Sequence, residues 1–297
     1  MSRSAAPIVN AFTVDVEDWY CNHFLEGRVP PSAWDRQPSV VRQGTEAILS
    51  LLAEYGIRAT FFVLGYVADR FPELCQAIRA RGHAIGTHGY WHHRPLAGTP
   101  DQFQRDLRES IGTIARATGT LPLGYRAPVA ALDWPATWAF QAMRDAGIVY
   151  DSSVYPTRLF VLAGSADAPR APFLTATGVW EIPLSVAEVC GRRFPLSGGF
   201  YLRALPFGLY RRLIRRENAA GRPVILYVHP WELAHGFPRL MRHPIGRLVQ
   251  TWNLRSVESK LRALFEEFRW GAIEDVYRQV LAVPSPAAEL PASRGAA

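Results

Sequence analysis

The chain has 297 residues, of which 48% are hydrophobic and 20% are charged, as is usual for a globular protein with a hydrophobic core. It carries a formal net charge of +7, and Lys260 is the only lysine among 33 basic residues. No long basic block interleaved with aromatic residues occurs, which argues against a nucleic-acid partner. The three cysteines are far apart and form no Cys-x-x-Cys pair, so neither a zinc ribbon nor a disulfide framework is expected.

The cysteine content, the N-terminal segment and the apolar runs also bear on location. Few, scattered cysteines are typical of a reducing compartment. Residues 1–10 lack the apolar stretch of a secretory signal. The longest apolar run, residues 59–68, is too short to span a bilayer. We therefore expect a cytoplasmic protein.

Strands and helices are predicted to alternate along the first half of the chain. Short apolar runs predict buried strands over residues 8–16, 58–64, 83–86, 123–126 and 148–151. Helical spacing, with Pro and Gly near the ends, predicts helices over residues 41–55, 72–80, 100–118 and 135–146. Such alternation favours a parallel sheet or barrel, in which residues after the C-terminal strand ends carry the chemistry.

The second half shows a less regular pattern. A loop is predicted over residues 155–171, an edge strand marked by Pro183 over 180–186, and a glycine-marked turn over 198–203. A basic helix over 205–219, a strand over 223–228 and two helices over 257–268 and 272–281 follow. The chain shows no internal repeat and no clear linker, so a single domain is expected.

Three acids follow the first predicted strand. Because side chains alternate along a strand, Asp15 and Glu17 share a face, whereas Asp18 faces away or begins the loop. Buried carboxylates need a cation or polar partners; solvated acids at a strand end are the alternative. A carboxylate pair also fits a glycosidase, but the histidines described next argue against that.

Two histidines, His88 and His92, lie four residues apart. On a helical turn this spacing would place both imidazoles on one face, where they could bind one metal ion. Such a pair is often accidental. With one carboxylate, however, it would form a metal site with open positions for water and substrate. His93 is expected to point elsewhere.

Two later strand ends carry further candidates. Arg126 beside a carboxylate would hold it ionised and oriented; a surface arginine is the alternative. Pro128 fixes a turn that would let the N–H of Val129 point inward as an oxyanion donor. His229, after an apolar strand, suits a general acid, although a core histidine bonded to a carbonyl group is an equal alternative.

Four segments lie in a characteristic order and spacing: Thr-Val-Asp-Val-Glu-Asp at 13–18, His-Gly-Tyr-Trp-His at 88–92, Arg-Ala-Pro at 126–128 and Leu-Tyr-Val-His at 226–229. Together they resemble the polysaccharide deacetylases, carbohydrate esterase family four, with their NodB-homology domain. Gly89 stands where the family has Ser or Thr. The first segment resembles the Asp-x-Asp/Glu variant of a branch that includes peptidoglycan deacetylases and allantoinase-like members.

The resemblance implies an α/β fold, a distorted (β/α)7 barrel in a single domain with a C-terminal helical extension. It implies a catalytic domain over residues 8–232, an extension packed on it over 233–283 and a disordered tail over 284–297. The segments at 151–156, 198–203 and 229–232 resemble a sub-branch that accompanies exosortase-linked exopolysaccharide synthesis.

The implied reaction is removal of N-acetyl groups from N-acetylhexosamine residues of a bacterial polysaccharide or its lipid-linked precursor. The resemblance implies that Glu17, His88 and His92 hold a divalent metal ion, with zinc the expected one. Asp18 is kept as the alternative carboxylate ligand. Asp15 is the implied base.

The remaining implied roles fall on later residues. Arg126 holds the base, Val129 after Pro128 donates to the oxyanion, and His229 is the acid. Trp231 is a candidate for stacking on a sugar, although aromatic residues are more often core.

Alternative functions share these residues. An allantoinase-like or other small-molecule amide hydrolase fits the same first motif, and a non-catalytic carbohydrate-binding module is a less favoured interpretation. The arginines at 211–216 are expected to form a solvated helix face. A minority hypothesis is that they bind an anionic membrane surface, at its inner face, where a lipid-linked glycan would be met. The sequence does not predict an oligomeric state.

Overall fold

The computed structural model describes residues 7–130, 132, 134 and 136–281. Its strands, in chain order, are β1 (Val9–Val16), β2 (Thr60–Val63), β3 (Ala84–Thr87), β4 (Gly124–Tyr125), β5 (Tyr150–Asp151), β6 (Phe173–Leu174), β7 (Trp180–Glu181), β8 (Val186–Val189), β9 (Arg192–Pro195), β10 (Ile225–Val228) and β11 (Arg269–Gly271). Its helices are α1 (Val41–Glu54), α2 (Gly65–Arg70), α3 (Pro72–Ala80), α4 (Pro100–Thr118), α5 (Thr137–Asp145), α6 (Gly199–Ala204), α7 (Phe207–Ala219), α8 (Pro244–Thr251), α9 (Val257–Glu267), α10 (Ile273–Val276) and α11 (Arg278–Leu281).

One curled sheet organises the molecule, in the order β10-β1-β2-β3-β4-β5-β7-β6. All neighbours pair in parallel except β6, which runs antiparallel to β7. Asp15 of β1 pairs with Phe62 of β2, which pairs with Gly86 of β3. The carboxyl ends of these strands therefore meet at one edge. This architecture confirms the predicted α/β class and single domain.

The clearest local sequence signals mark the two ends of helix α4. The long helix α4 begins with a capping box, in which Thr99 and Gln102 bond each other's backbone N–H groups. It has Pro100 in its first turn and ends at Gly119, whose φ of 73° suits a residue without a Cβ. The predicted bounds of this helix are confirmed. The start predicted for α5 at Pro135 lies outside the described residues.

The predicted edge strand over 180–186 is wrong in two respects. Only Trp180–Glu181 joins the main sheet, and it lies between β5 and β6 rather than at the edge. Pairing with the two-residue strand β6 is a long-range contact without a local sequence signal. Val186 instead begins a separate hairpin, closed by Cys190 and Gly191 at φ values of 49° and 72°.

Two other predictions need correction. The stretch predicted as a turn at 198–203 forms helix α6 after Gly198. The helix predicted over 272–281 is interrupted at Tyr277, between α10 and α11.

The described part of the proposed extension shares its core with the rest of the chain. Strand β11 pairs in parallel with the first residues of β1. Phe265 of α9 contacts Phe12 of β1 edge to face, with ring centroids 5.1 Å apart. The domain boundary at 232 stays a prediction, and the tail at 284–297 lies outside the described residues. No helix in the described part of the chain has the length and hydropathy needed to cross a bilayer.

Candidate metal and catalytic site

The carboxyl edge of the sheet forms a cavity of about 490 Å³. Strands β10, β1, β3 and β4 deliver side chains to it from their C-terminal ends. Its lining includes most of the sequence-predicted site residues, namely Asp15, Glu17, His88, His92, Arg126, Val129, His229 and Trp231. Residues that follow separate strands in the sequence therefore lie around one cavity in the structure.

Glu17, His88 and His92 form a buried group whose ligand atoms lie within 4.8 Å of one another. Glu17 Oε2 is 2.6 Å from His92 Nε2 and 3.6 Å from His88 Nε2. The same oxygen is buried without any hydrogen bond of acceptable geometry. A cation shared by the three side chains would satisfy it, so the residues present fit a metal site.

The electrostatics of Glu17 agree with that interpretation. Burial raises the pKa of its carboxyl group, but His92, His88 and the more distant His229 outweigh burial and hold the pKa well below its usual value. Glu17 is therefore ionised, as a metal ligand must be.

A backbone contact orients His88. Its Nδ1 lies 2.8 Å from the carbonyl oxygen of Arg126. Since a carbonyl only accepts, Nδ1 carries the hydrogen and Nε2 is left facing Glu17. The imidazole is thus fixed with the correct nitrogen towards the candidate ion.

The prediction that His88 and His92 share a helical turn is wrong. They lie on an irregular loop after β3, in which Gly89 has φ 74° and His92 has φ 57°. The Asp106 carboxylate on α4 accepts hydrogen bonds from the backbone N–H groups of Tyr90 at 2.7 Å and Trp91 at 3.0 Å. This clamp folds the loop back so that the two rings still meet, with centroids 5.3 Å apart.

Asp18, the alternative ligand, does not join the metal group. Its carboxylate accepts from the backbone N–H groups of Trp19 and Val40 and from the Ser39 hydroxyl. It therefore caps the turn after β1 and fixes the exit of the chain. The geometry favours Glu17 as the carboxylate that faces the histidines.

Arg126 anchors Asp15. Arg126 Nη1 donates to Asp15 Oδ1 at 2.9 Å and to Thr13 Oγ1 at 2.6 Å. Its other N–H groups donate to the backbone and side chain of Ser152, and its guanidinium lies 4.2 Å above the Phe62 ring. With 1% exposure and partners on all sides, Arg126 holds Asp15 in one orientation.

A second carboxyl pair lies behind Arg126. Asp151 and Glu181 are partners across β5 and β7, and burial raises the pKa of both carboxyl groups. Two adjacent buried carboxyl groups cannot both ionise readily. Neither lines the cavity, and we infer that they support Arg126 and its strand.

Arg203, Glu232 and His229 form a buried chain of hydrogen bonds. Glu232 Oε2 lies 3.1 Å from His229 Nδ1, and Arg203 Nε donates to Glu232 Oε1 at 2.9 Å. Gly199 permits this approach, because a Cβ there would lie 2.0 Å from Glu232 Oε2. No catalytic role was predicted for Glu232 or Arg203. A glutamate three residues after a strand-end histidine was the available signal; the contact with Arg203 had none.

The hydrogen bond to Glu232 and nearby carboxylates raise the pKa of His229. Burial alone would lower this pKa, but the hydrogen bond to Glu232, with the charges of Glu17 and Asp15, raises it to about 9. The Glu232 carboxyl is also buried, which raises its pKa, yet Arg203 and His229 bring the net pKa below its usual value. The raised pKa favours the protonated form of His229 in the metal-free protein.

The remaining predicted residues surround this centre. Val129 lines the cavity with φ 61°, a strained backbone conformation for a β-branched residue, while Pro128 is buried. Trp231 stacks on His229 at 17° with centroids 5.0 Å apart and is 2% exposed. Trp231 thus supports His229 and leaves little ring surface for a sugar.

Two family models match separate halves of the chain. Residues 32–150 match the family model described as polysaccharide deacetylase, and residues 152–278 match a domain of unknown function, DUF3473. The chain is therefore similar to the polysaccharide deacetylases over residues 32–150. The exosortase-associated sub-branch stays a prediction.

Curated relatives match this chain over only part of their length. The peptidoglycan deacetylase of Helicobacter pylori is 32% identical over 127 residues, which is 42% of this chain and 43% of that protein. Chitin deacetylase 1 of Saccharomyces cerevisiae is 33% identical over 89 residues, 30% of this chain and 29% of that protein. The chain thus spans less than half the length of these relatives.

Solved structures show the same fold. A protein from Mycobacterium smegmatis described as a polysaccharide deacetylase has a TM-score of 0.60 at 20% identity, covering 96% of this chain and 98% of that one. A carbohydrate esterase family 4 pseudoenzyme from Bacillus anthracis has a TM-score of 0.50 at 12% identity, covering 91% and 66%.

Proposed function

We propose that the protein is a metal-dependent N-deacetylase that hydrolyses the acetamide of an N-acetylhexosamine residue and releases acetate and a free amino sugar. One observation carries the proposal. The Glu17, His88 and His92 group shares a cavity with an anchored carboxylate and with a histidine whose pKa is raised. The names of the curated relatives, which act on peptidoglycan and chitin, support the substrate class.

Two imidazoles and a carboxylate are ligands typical of zinc, which is the proposed ion. A divalent ion held by Glu17, His88 and His92 would supply Lewis-acid activation of water and of the amide carbonyl group. Asp15 is then placed to accept the proton of the attacking water, since Arg126 holds its carboxylate at the cavity wall. The backbone N–H of Val129 is the proposed donor to the developing oxyanion.

His229 is the proposed acid for the leaving amine. Its pKa of about 9 keeps a proton available at neutral pH. A cation beside Glu17 would cancel the contribution of that carboxylate, which leaves Glu232 as the main support of the protonated state. Nδ1 faces Glu232, so Nε2 carries the proton that is transferred.

The proposed substrate is a bacterial polysaccharide, including an exopolysaccharide, or its lipid-linked precursor. The cavity volume suits one sugar residue with its acetamide group rather than a length of polysaccharide. We therefore propose that one sugar residue of the polysaccharide occupies the cavity at a time. The cytoplasmic location expected from the sequence stays a prediction.

The test compares His88→Ala with His93→Ala, which changes the adjacent histidine outside the metal group. Metal content and acetate release from N-acetylhexosamine oligomers are measured for both. We expect His88→Ala to lose both and His93→Ala to keep both. A metal-free His88→Ala protein that releases acetate at the wild-type rate would refute the proposal. Turnover of cyclic ureides without acetate release would favour the allantoinase-like alternative, and neither activity would favour a carbohydrate-binding module.

A further inference from the structure

Helix α8 at the cavity mouth exposes its large apolar side chains and buries small or polar residues, which is the reverse of an ordinary surface helix. It buries Gly246 and Gln250, whereas Ile245 and Leu248 are 60% and 47% exposed. Gln250 Nε2 donates to the carbonyl oxygen of Trp19 at 3.0 Å. A Cβ at Gly246 would lie 2.8 Å from Phe24, so only glycine permits this close packing. The helix is thus attached through a glycine and an amide, and its large apolar side chains face solvent.

The loop across the mouth presents a similar surface. Phe160 and Leu162 are 75% and 59% exposed and line the same cavity as Ile245 and Leu248. Phe160 has φ 57°, and its carbonyl oxygen accepts a hydrogen bond from the Tyr201 hydroxyl. A strained backbone that is held in place to expose an aromatic ring points to a function. We call Phe160, Leu162, Ile245 and Leu248 the apolar rim.

The surroundings of the apolar rim are basic. Residues 152–166 and 233–257 contain no Asp or Glu. They contribute exposed arginines that pair with no carboxylate among the described residues, namely Arg158, Arg239, Arg242, Arg247 and Arg255. Exposed apolar side chains with unpaired arginines close by in the chain are typical of a surface that binds anionic lipid.

Helix α7, the basic helix singled out in the sequence, is a weaker candidate. Two of its arginines, Arg211 and Arg215, pair with Glu267. Their charge is therefore largely neutralised within the protein, and α7 presents no comparable exposed apolar row beside the cavity.

We propose that the apolar rim docks on an anionic bilayer surface, with its side chains at the headgroup boundary and the arginines on anionic headgroups. A second copy of this chain is a poorer occupant, because two identical acid-free basic surfaces repel each other. In the docked protein the cavity mouth would face the membrane. The proposed substrate is then a membrane-attached glycan. That last step rests on the proposed deacetylation, whereas the docking does not.

The test is co-sedimentation with phosphatidylglycerol-containing vesicles and with phosphatidylcholine vesicles, in the absence of any glycan. The wild-type protein should bind only the anionic vesicles. Two variants should bind at least about tenfold more weakly: Phe160→Ser/Leu162→Ser/Ile245→Ser/Leu248→Ser, and Arg242→Glu/Arg247→Glu. The matched control is Leu121→Ser/Leu123→Ser, which removes side chains of 50% and 51% exposure just before β4, at the opposite end of the sheet. Thermal unfolding checks that each variant is folded.

Trp252, which follows α8 and is 52% exposed, provides a readout that needs no rim variant. Brominated anionic lipid should quench tryptophan fluorescence in the wild-type protein and quench it less in Trp252→Phe. Absence of wild-type binding, or equal binding by the folded rim variant, would overturn the proposal. Vesicle binding without acetate release would refute the proposed function and leave the docking intact; acetate release without vesicle binding would do the reverse.

Discussion

Glu232→Gln tests how the protein keeps a general acid protonated. The substitution removes the buried charge beside His229 Nδ1, while the amide keeps an oxygen that can accept from Arg203. Glu232 is the first of the groups that raise the pKa of His229 to about 9. Without it, burial lowers that pKa towards its unperturbed 6.5 or below.

The expected size of the effect follows from the protonated fraction. At pH 8 a histidine with a pKa of about 9 is about 90% protonated, whereas one with a pKa of 6.5 is about 3% protonated. If His229 is the acid, kcat at pH 8 should fall by at most about thirtyfold and recover as the pH is lowered. A cation at Glu17 lowers the wild-type midpoint as well, but the variant midpoint should remain the lower of the two.

The assay is the pH dependence of acetate release, with metal content and thermal unfolding measured on the same samples. The control is Glu188→Gln, which removes a glutamate whose side chain is 48% exposed and pairs with Arg170. The control should keep the wild-type profile. An unchanged alkaline limb in a folded, metal-loaded Glu232→Gln protein would show that Glu232 does not sustain the acid.

The remaining predictions concern the groups around this acid. Arg126→Lys cannot reproduce the hydrogen bonds to both Asp15 and Ser152, so kcat should fall about a hundredfold with metal content unchanged; a wild-type kcat would contradict the anchoring role. Asp106→Ala removes the clamp on the histidine loop, so metal affinity should fall about 10- to 100-fold in a competition titration, unlike Glu109→Ala on the same helix. The raised folded-state pKa of His229 stabilises the metal-free protein when the histidine is protonated. This contribution to the free energy of unfolding is fully present below about pH 6.5 and is lost as the pH rises through about 9. Denaturant titrations that show no such loss, relative to Glu232→Gln, would contradict the raised pKa.

The sequence contains a local signal for most of the fold. Apolar runs marked the strands of the central sheet, and the chemistry follows their ends because parallel strands bring their C-terminal ends to one edge. Strand alternation predicted that Asp15 and Glu17 share a face, and both line the cavity although β1 ends at Val16. These features depend on residues adjacent in the chain.

The features that were missed depend on contacts between distant residues. The loop geometry of His88 and His92 is set by Asp106 on α4, which helical spacing cannot reveal. The position of β7 inside the sheet depends on pairing with a two-residue strand. Arg203 reaches Glu232 from another helix, and burial of both charges is visible only in the folded structure.

The central claim is that Glu17, His88 and His92 hold the ion that hydrolysis requires. The most direct test is a zinc titration into chelator-treated protein, with bound metal and acetate release measured on each sample. We expect acetate release to saturate at about one equivalent of zinc, to be lost in Glu17→Gln together with tight binding, and to persist in Asp18→Asn. Acetate release at the full rate from metal-free protein, or tight zinc binding by Glu17→Gln, would contradict the assignment.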